Sequence, residues 1–280
     1  MSIFVDMKCF YFSCLIFFAT LASCGSEKAE DDIAADEAEV SSQNLDKQKI
    51  SAQNVFNSIP SPTELGQLVD DAGLDYDMAM VNDPTILNKY TSDDFKAMNL
   101  GVYGADLAYA NVHEQSSEAM TYLKCVNILC KNLGINEVFG QKTVDRLTMN
   151  KDNKDSLLTI VSKAFWQADA FLRENQRPHT SSLMVAGGWI EGLYISAVVG
   201  TKSKNKKLIK KMSEQTKSLQ DLISLLEESK VGADATFVVG DLKELLTTYL
   251  KIENNTCMND TVLNQIDKKV NDLRKKIVMQ

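Results

Sequence analysis

The stretch LIKKMSEQTKSLQDLISLLEE, residues 208–228, indicates the fold class of this chain. Its apolar residues recur at steps of three and four, with lysines and acids between them. These apolar residues are Leu208, Met212, Leu219, Leu222, Ile223 and Leu226. Because this period lines up one face of an α-helix, the spacing predicts a single amphipathic helix over residues 205–229.

Helix start and stop signals recur along the rest of the chain. Prolines stand at positions 60, 62, 84 and 178, each where a helix would begin or end, and no Asn-Gly or Asp-Gly hairpin turn occurs. Asp83 and Pro84 open a short helix, and Thr91 with Asp94 resembles a capping box for a helix over 92–113. Ser116 or Ser117 starts the next helix, which closes at Gly134. Further helices are predicted over about 136–148, 154–176, 179–199, 234–252 and 260–278.

This pattern predicts an all-α fold of about nine or ten helices. Residues 51–280 have the size of one domain with a substantial core. Helices of about 20 residues with short connections favour antiparallel neighbours, so the sequence predicts a multi-helix bundle or stacked antiparallel helical hairpins. A solenoid is the main alternative.

Two of the predicted helices carry small residues at positions where the other helices carry large side chains. NLGVYGADLAYA (residues 99–110) contains Gly101, Gly104, Ala105 and Ala108, and VAGGWIEGLYISA (residues 185–197) contains Gly187, Gly188, Gly192 and Ser196. Glycine inside a helix costs about 1 kcal/mol relative to alanine. Close approach of the two helices would account for that cost.

The same two helices hold the polar residues that could form a site. Asp106, Tyr109 and His113 fall within about 60° on one helical face, and Glu191 on the facing helix could join them. The candidate pocket comprises Tyr103, Asp106, Tyr109, His113, Trp189, Glu191 and Tyr194. The alternative interpretation is that Asp106 and Glu191 hydrogen-bond backbone groups or tyrosine hydroxyls at a tight helix crossing.

Familiar catalytic and cofactor motifs are missing from the sequence. The chain has two histidines, His113 and His179, and it has no ExxH pair, glycine-rich phosphate loop, Cys-x-x-Cys motif or GxSxG elbow. We therefore predict no metal, no cofactor and no catalytic residue. No basic nucleic-acid footprint is present either.

The cysteine thiols and a lysine cluster are further candidate functional groups. Cys125 and Cys130 lie about 140° apart on one helix and should not bridge each other. Either could pair with Cys257, or the thiols could be free and buried.

The run TKSKNKKLIKK (residues 201–211) contains six lysines. Lys204, Lys206, Lys207 and Lys210 are candidate contacts for an anionic glycan or membrane headgroup. The alternative is a solvated loop and first helical turn.

The N-terminus predicts a signal peptide over residues 1–23. Its apolar run, residues 9–22, is too short to cross a membrane that needs about 20 residues. The following Leu21-Ala22-Ser23-Cys24 resembles the lipobox of bacterial lipoproteins, in which the cysteine is lipidated and becomes the first residue. An ordinary secretory signal cut nearby is the alternative. Two or more acyl chains hold a protein stably at a membrane.

The residues after Cys24 predict an acidic disordered tether over 24–50. Seven acids and one lysine lie between Glu27 and Glu39, so this block carries most of the chain's formal net charge of −8. No aspartate follows Cys24 directly, and the outer membrane is therefore the expected location. Exposure on the periplasmic face or on the cell surface is left open.

Three segments carry a family resemblance: GVYGADLAYA (residues 101–110), DNKDSLLTIVSKAFWQADAFLREN (152–175) and VAGGWIEGLYI (185–195). They resemble segments of all-helical lipoproteins of Bacteroidota over roughly residues 90–230. The resemblance implies a helical fold and a lipid anchor. That group has no assigned activity, so no catalytic residue transfers to this chain.

Two classes of function follow. The first is a non-enzymatic lipoprotein of the cell envelope that works as a scaffold, accessory subunit or ligand-binding module, with an envelope protein or a glycan as partner. The second is an envelope hydrolase or lyase with a pocket around Asp106 and Glu191. A catalytic pocket requires convergent polar groups in a concave site, whereas a scaffold does not.

Overall fold

The computed structural model describes residue 68 and residues 72–150, 153–252 and 258–279. Within these ranges there are nine α-helices and no strand, so the all-α prediction is confirmed. The helices are α1 Asp93–Val112, α2 Ser116–Asn132, α3 Gln141–Met149, α4 Lys154–Glu174, α5 Pro178–Ser203, α6 Lys206–Ser213, α7 Thr216–Glu228, α8 Thr236–Tyr249 and α9 Asp260–Val278. Short 3-10 turns span Met78–Met80, Pro84–Lys89 and Ala233–Ala235.

All described residues belong to one compact unit. The predicted signal peptide, the lipidation residue Cys24, the acidic tether and Cys257 lie outside the described residues.

Helix α5 forms the centre of the bundle. It packs against α1, α4, α6, α7 and α9, and most of its side chains are buried. By length and composition this helix could cross a membrane, but 83% of its most apolar window is buried inside the domain. A helix that is apolar on every face is typical of a protein core. Because α5 contacts helices distant in sequence, the arrangement is a bundle, unlike a solenoid in which repeats contact only their neighbours.

The crossing of α1 and α5 depends on glycine. A Cβ atom on Gly187 would overlap the Met98 carbonyl group, and one on Gly101 would overlap the Met184 carbonyl oxygen and the Gly188 nitrogen. The backbones therefore touch at this point, which accounts for Gly101 and Gly187 in helix interiors. Gly104 has a different neighbour, because its missing side chain makes room for the Phe165 ring of α4.

The C-terminal end of α9 is held by side chains from elsewhere in the chain. Asn99 Nδ2 donates to the Ile277 carbonyl oxygen at 3.0 Å, and Tyr90 Oη donates to the Val278 carbonyl oxygen at 3.2 Å. The last carbonyl groups of a helix have no partner within the helix itself. These two bonds satisfy two of them and dock α9 against α1 and the segment that precedes α1.

Several predicted helix bounds were wrong. The helix predicted over 205–229 is two helices, α6 and α7, separated at Glu214 and Gln215. The N-cap of α1 is Ser92, whose Oγ accepts from the Phe95 N–H, whereas Thr91 was predicted. The helix predicted from about residue 136 begins only at Gln141, after Gly140.

Candidate functional site

Asp106 and Glu191 meet in the interior of the bundle. Asp106 lies on α1 five residues after Gly101, and Glu191 lies on α5 three residues after Gly188, so the glycine crossing brings their helices close. Both residues have 0% of their surface exposed. Two acids buried this deeply require a compensating charge or proton, because removing a charge from water is costly.

Arg274 supplies the compensating charge. Its Nε donates to Glu191 Oε2 at 2.6 Å, its Nη2 lies 3.5 Å from the Met80 carbonyl oxygen, and its guanidinium carbon lies 4.4 Å from the centre of the Tyr194 ring. Arg274 is itself buried. The Glu191–Arg274 ion pair therefore joins α9 to the central helix.

Arg274 was absent from the predicted pocket, although the sequence contains a signal for it. The buried residues of α9 include Val270, Leu273 and Ile277, and Arg274 falls on the same stripe. Every other cation of this helix is lysine. A lone arginine on an apolar helical face predicts a buried ion pair, because the planar guanidinium suits such pairs better than an ammonium group does.

Asp106 is held by a backbone group and by its neighbouring acid. Its Oδ2 accepts from the Asn82 backbone N–H at 3.0 Å. Burial raises the pKa of Asp106 well above its usual range, and the Glu191 charge raises it further, against the opposing effect of Arg274. Burial also raises the pKa of Glu191, which Arg274 opposes.

A shared proton accounts for the remaining two carboxyl oxygens. Asp106 Oδ1 and Glu191 Oε1 are buried, and no N–H group of the described residues reaches them. A hydrogen bond between the two carboxyl groups raises the pKa of Asp106 and lowers that of Glu191, which favours the proton on Asp106. One shared proton would leave a single negative charge opposite Arg274.

The other residues of the predicted pocket make separate contacts. Tyr103 Oη donates to the Asp83 carbonyl oxygen at 2.8 Å, and Trp189 Nε1 donates to Ser218 Oγ of α7 at 3.1 Å. The Tyr109 hydroxyl accepts a weak bond from the Asp77 N–H at 3.4 Å. Tyr194 supports Arg274. These side chains fill the core around the acid pair, and each serves a different packing contact.

His113 lies outside the acid cluster, beside open space. Its ring is 4.6 Å from the Tyr109 ring and 5.8 Å from the Tyr76 ring, measured between centroids. It borders an open cleft of about 650 Å³ together with Tyr76, Glu114 and Lys154. Trp189 borders a second cleft of about 20 Å³, the space that a single water needs. Neither Asp106 nor Glu191 lines either cleft.

The two described cysteines are buried free thiols. Burial raises the pKa of the Cys125 thiol to about 11 and raises that of Cys130 as well. Such thiols are poor nucleophiles at neutral pH, because only the thiolate reacts readily. Among the described residues no group of three or more His, Cys, Asp and Glu side chains could hold a metal ion.

The predicted lysine contacts lie on the surface, at the junction of α5 and α6. Lys204, Lys206, Lys207 and Lys210 are all exposed. Lys204 Nζ pairs with Asp260 at 2.9 Å, and the neighbouring Lys202 pairs with Asp77 at 2.9 Å. Lys204 and its neighbour Lys202 are therefore partly neutralised by acids from other parts of the chain.

Comparison of the chain with protein-family models, with curated proteins and with solved structures found no match. The functional argument therefore rests on the residues and their geometry.

The stability of Asp106→Asn relative to the parent protein is expected to increase as pH rises above the unfolded pKa of Asp106. Asparagine keeps an acceptor for the Asn82 N–H and a donor for Glu191. The folded parent retains a proton that its unfolded chain loses, so its free energy of unfolding should fall by about 1.4 kcal/mol per pH unit between the unfolded and folded pKa values of Asp106. Urea unfolding from about pH 5 to 9 measures this.

The control for that experiment is Asp272→Asn, which changes an exposed aspartate of α9. Its effect should stay within about 0.5 kcal/mol. If the free energies of unfolding of Asp106→Asn and the parent run parallel across the pH range, the shared proton is refuted.

Proposed function

We propose that this chain is an envelope lipoprotein of the Bacteroidota type whose helical domain works as a non-enzymatic scaffold, accessory subunit or ligand-binding module. The single observation that carries the proposal is that the acid cluster is buried and has no access to solvent. Asp106 and Glu191, the acids we considered for catalysis, have 0% exposure and are bound to Asn82 and Arg274.

Catalysis needs polar groups that reach a substrate. The bonds of Asp106 and Glu191 are all directed into the protein, and together with Arg274 they join α1, α5, α9 and the segment before α1. Groups with this pattern stabilise a fold. Function is then carried by the outer surface and its clefts, which favours a binding or scaffolding role.

One observation favours the alternative, an envelope hydrolase or lyase. Catalytic acids often have raised pKa values, and Asp106 has one. For Asp106 to act on a substrate, the residues around Asn82 or helix α9 would have to move away and expose the cluster. Burial beside a second acid accounts for the raised pKa without such a movement.

The location follows from Cys24 and the residues around it. Leu21-Ala22-Ser23-Cys24 fits the lipobox pattern, and acyl chains on Cys24 would hold the mature protein at the outer membrane. Its domain would face the periplasm or the cell surface. The partner would be an envelope protein, a glycan or a small ligand.

Cys24→Ala is expected to move the protein from the membrane fraction to the soluble fraction, because the acyl chains would have no attachment point. The measurement is fractionation of cells followed by a wash at about 1 M salt, which screens surface charge within about 3 Å. Cys14→Ala is the matched control, because Cys14 lies in the apolar run of the predicted signal peptide and would be removed with it. Retention of Cys24→Ala in the washed membranes would contradict the anchor.

The proposed role itself is tested by purifying the lipidated protein from its native membrane in mild detergent. A stoichiometric partner identified by mass spectrometry supports an accessory subunit or scaffold. Hydrolysis of envelope substrates by the purified protein, lost in Glu191→Gln, would overturn the proposal in favour of the enzyme.

A further inference from the structure

We propose that the open cleft beside His113 binds a saccharide. Its volume of about 650 Å³ lies within the range of about 300–1,000 Å³ that is typical of small-molecule sites. The cleft is formed by the segment before the first 3-10 turn, the turn between α1 and α2, and the start of α4. Its polar and aromatic lining side chains are Asp75, Tyr76, His113, Glu114, Gln115 and Lys154. The inference rests on the ligand-binding form of the proposed function and names the class of ligand.

An aromatic ring at this cleft is held in a fixed position. Tyr76 is half-buried, and its ring stacks on that of Tyr109 with 5.3 Å between the centroids and 30° between the planes. Tyr109 is only 1% exposed, so the core of the domain supports the stack. The Tyr76 hydroxyl oxygen is buried, which leaves the ring carbons as the part of this side chain that can contact a ligand. Such an apolar surface can pack against the C–H face of a sugar ring.

The turn between α1 and α2 brings two hydrogen-bonding side chains to the same cleft. The Glu114 N–H donates to the Asn111 carbonyl oxygen at 3.1 Å, and the Gln115 N–H donates to that of Ala110 at 2.9 Å. Gln115 Nε2 donates to the His113 carbonyl oxygen at 3.0 Å, which fixes the side-chain amide. The turn is therefore organised before a ligand arrives, and less entropy is lost on binding.

The carboxylates of Asp75 and Glu114 are available to a ligand. Both residues are exposed, and neither carboxylate forms a hydrogen bond or an ion pair with another described residue. An ionised carboxylate accepts hydrogen bonds and cannot donate them. A matching ligand must therefore supply donors at more than one point.

The mixture of lining groups favours a saccharide over other ligands. Asp75 and Glu114 are negative and Lys154 is positive, so a strong charge of either sign on the ligand would meet a like charge in the cleft. An apolar ligand would remove these groups from water without giving them partners. Each hydroxyl group of a sugar both donates and accepts. One hydroxyl-rich ring can therefore bond to the carboxylates and cover Tyr76 at the same time.

The test measures sugar binding by the intact protein, purified in a detergent that has no sugar headgroup. The probes are immobilised mono- and disaccharides of glucose, galactose, mannose, rhamnose and N-acetylglucosamine, and titration calorimetry then follows a probe that binds. Cyclohexanol is the matched analogue, since it has a similar ring with a single hydroxyl group. We expect binding of at least one saccharide and no binding of cyclohexanol.

Asp75→Ala/Glu114→Ala should weaken the affinity roughly tenfold, because each lost bond at an exposed site contributes at the low end of the range for hydrogen bonds. Both positions are exposed, so the melting temperature should stay close to that of the parent. The matched control is Glu228→Ala/Asp272→Ala, which removes the same charge at exposed positions of α7 and α9. It should bind as the parent does.

Tyr76→Leu tests the aromatic surface separately. Loss of the ring should weaken the affinity roughly tenfold. Tyr76→Phe keeps the ring carbons and should bind as the parent does, since the hydroxyl group is buried. Because Tyr76 also packs on Tyr109, the variant of the two exposed acids provides the test that does not depend on packing.

Three results would overturn the proposal: no binding to any of these saccharides, an equal weakening in the control variant, or binding of cyclohexanol as tight as that of the sugar. A bound disaccharide should also be recovered intact, and its cleavage would contradict the non-enzymatic role while confirming the site. Absence of sugar binding by a protein that fractionates with the membrane would refute the site alone. Sugar binding by a protein that fractionates as soluble would refute the anchor alone.

Discussion

Gly187→Ala should destabilise the domain by about 3 kcal/mol, the upper part of the range for overpacking a core. The added Cβ would overlap the backbone of Met98, and a helix backbone cannot swing aside as a side chain does. Helices α1 and α5 would have to separate where they touch. This cost exceeds the gain of about 1 kcal/mol that alanine brings to a helix interior. Chemical denaturation of the two purified proteins measures the difference.

Gly240→Ala is the matched control. Gly240 lies inside α8, is exposed, and has open space within 4 Å of where its Cβ would stand. Here only helix propensity changes, so this variant should be stabilised by up to about 1 kcal/mol. Opposite signs for the two substitutions are the expected result. Equal stabilisation by both would mean that α1 and α5 do not make backbone contact.

Arg274→Met should destabilise the domain by about 3–5 kcal/mol. Methionine fills much of the same volume but leaves Glu191 buried without a counter-ion. Breaking one side of a buried pair costs far more than the pair contributes, because the remaining charge is uncompensated. Adding Glu191→Gln to this variant removes the stranded charge and should recover most of the loss. Denaturation of the single and double variants gives their coupling energy directly.

The comparison for this prediction is Lys276→Met on the same helix. Lys276 pairs with Asp241 at 2.6 Å, but half of its side chain is exposed to water. Exposed pairs contribute about 0–1 kcal/mol, so the variant should lose little stability. If Arg274→Met were equally mild, or if Glu191→Gln failed to rescue it, the buried ion pair would not be what fixes α9.

The sequence predicted the glycine crossing because its cause is local. Glycines inside a helix are costly, so Gly101 and Gly187 required a reason that the sequence itself suggested. The packing neighbour of Gly104 could not be predicted in this way, because nothing in the sequence indicates that the Phe165 ring occupies that space. Which helix fills a gap is decided by tertiary packing.

The break between α6 and α7 shows a similar limit. The apolar spacing fits one continuous helix, but six polar residues, Ser213–Ser218, separate Met212 from the next apolar residue, Leu219. Ser213 Oγ donates to the Lys210 carbonyl oxygen and Gln215 Nε2 donates to that of Lys211. Polar side chains that bond to the backbone allow a helix to end without glycine or proline.

The sequence indicated Asp106 and Glu191 as a candidate pair, but it did not indicate the groups that balance their charge. Asp106 and Glu191 are conspicuous in apolar helices, whereas Arg274 lies 83 residues beyond Glu191 and Asn82 contributes only its backbone N–H. A backbone N–H donor cannot be recognised from the residue type, because every residue except proline has one. The candidate pocket was therefore inferred from residues that the fold uses to close its own core.

The measurement that tests the account most directly is the intact mass of the protein extracted from its native membrane, with the N-terminal peptide sequenced by fragmentation. We predict a mature chain that begins at Cys24 and carries a diacylglyceryl group on the thiol and an acyl chain on the amine. A chain that begins at another residue, or an unmodified Cys24, would contradict the central claim that this helical domain is a lipid-anchored module of the envelope.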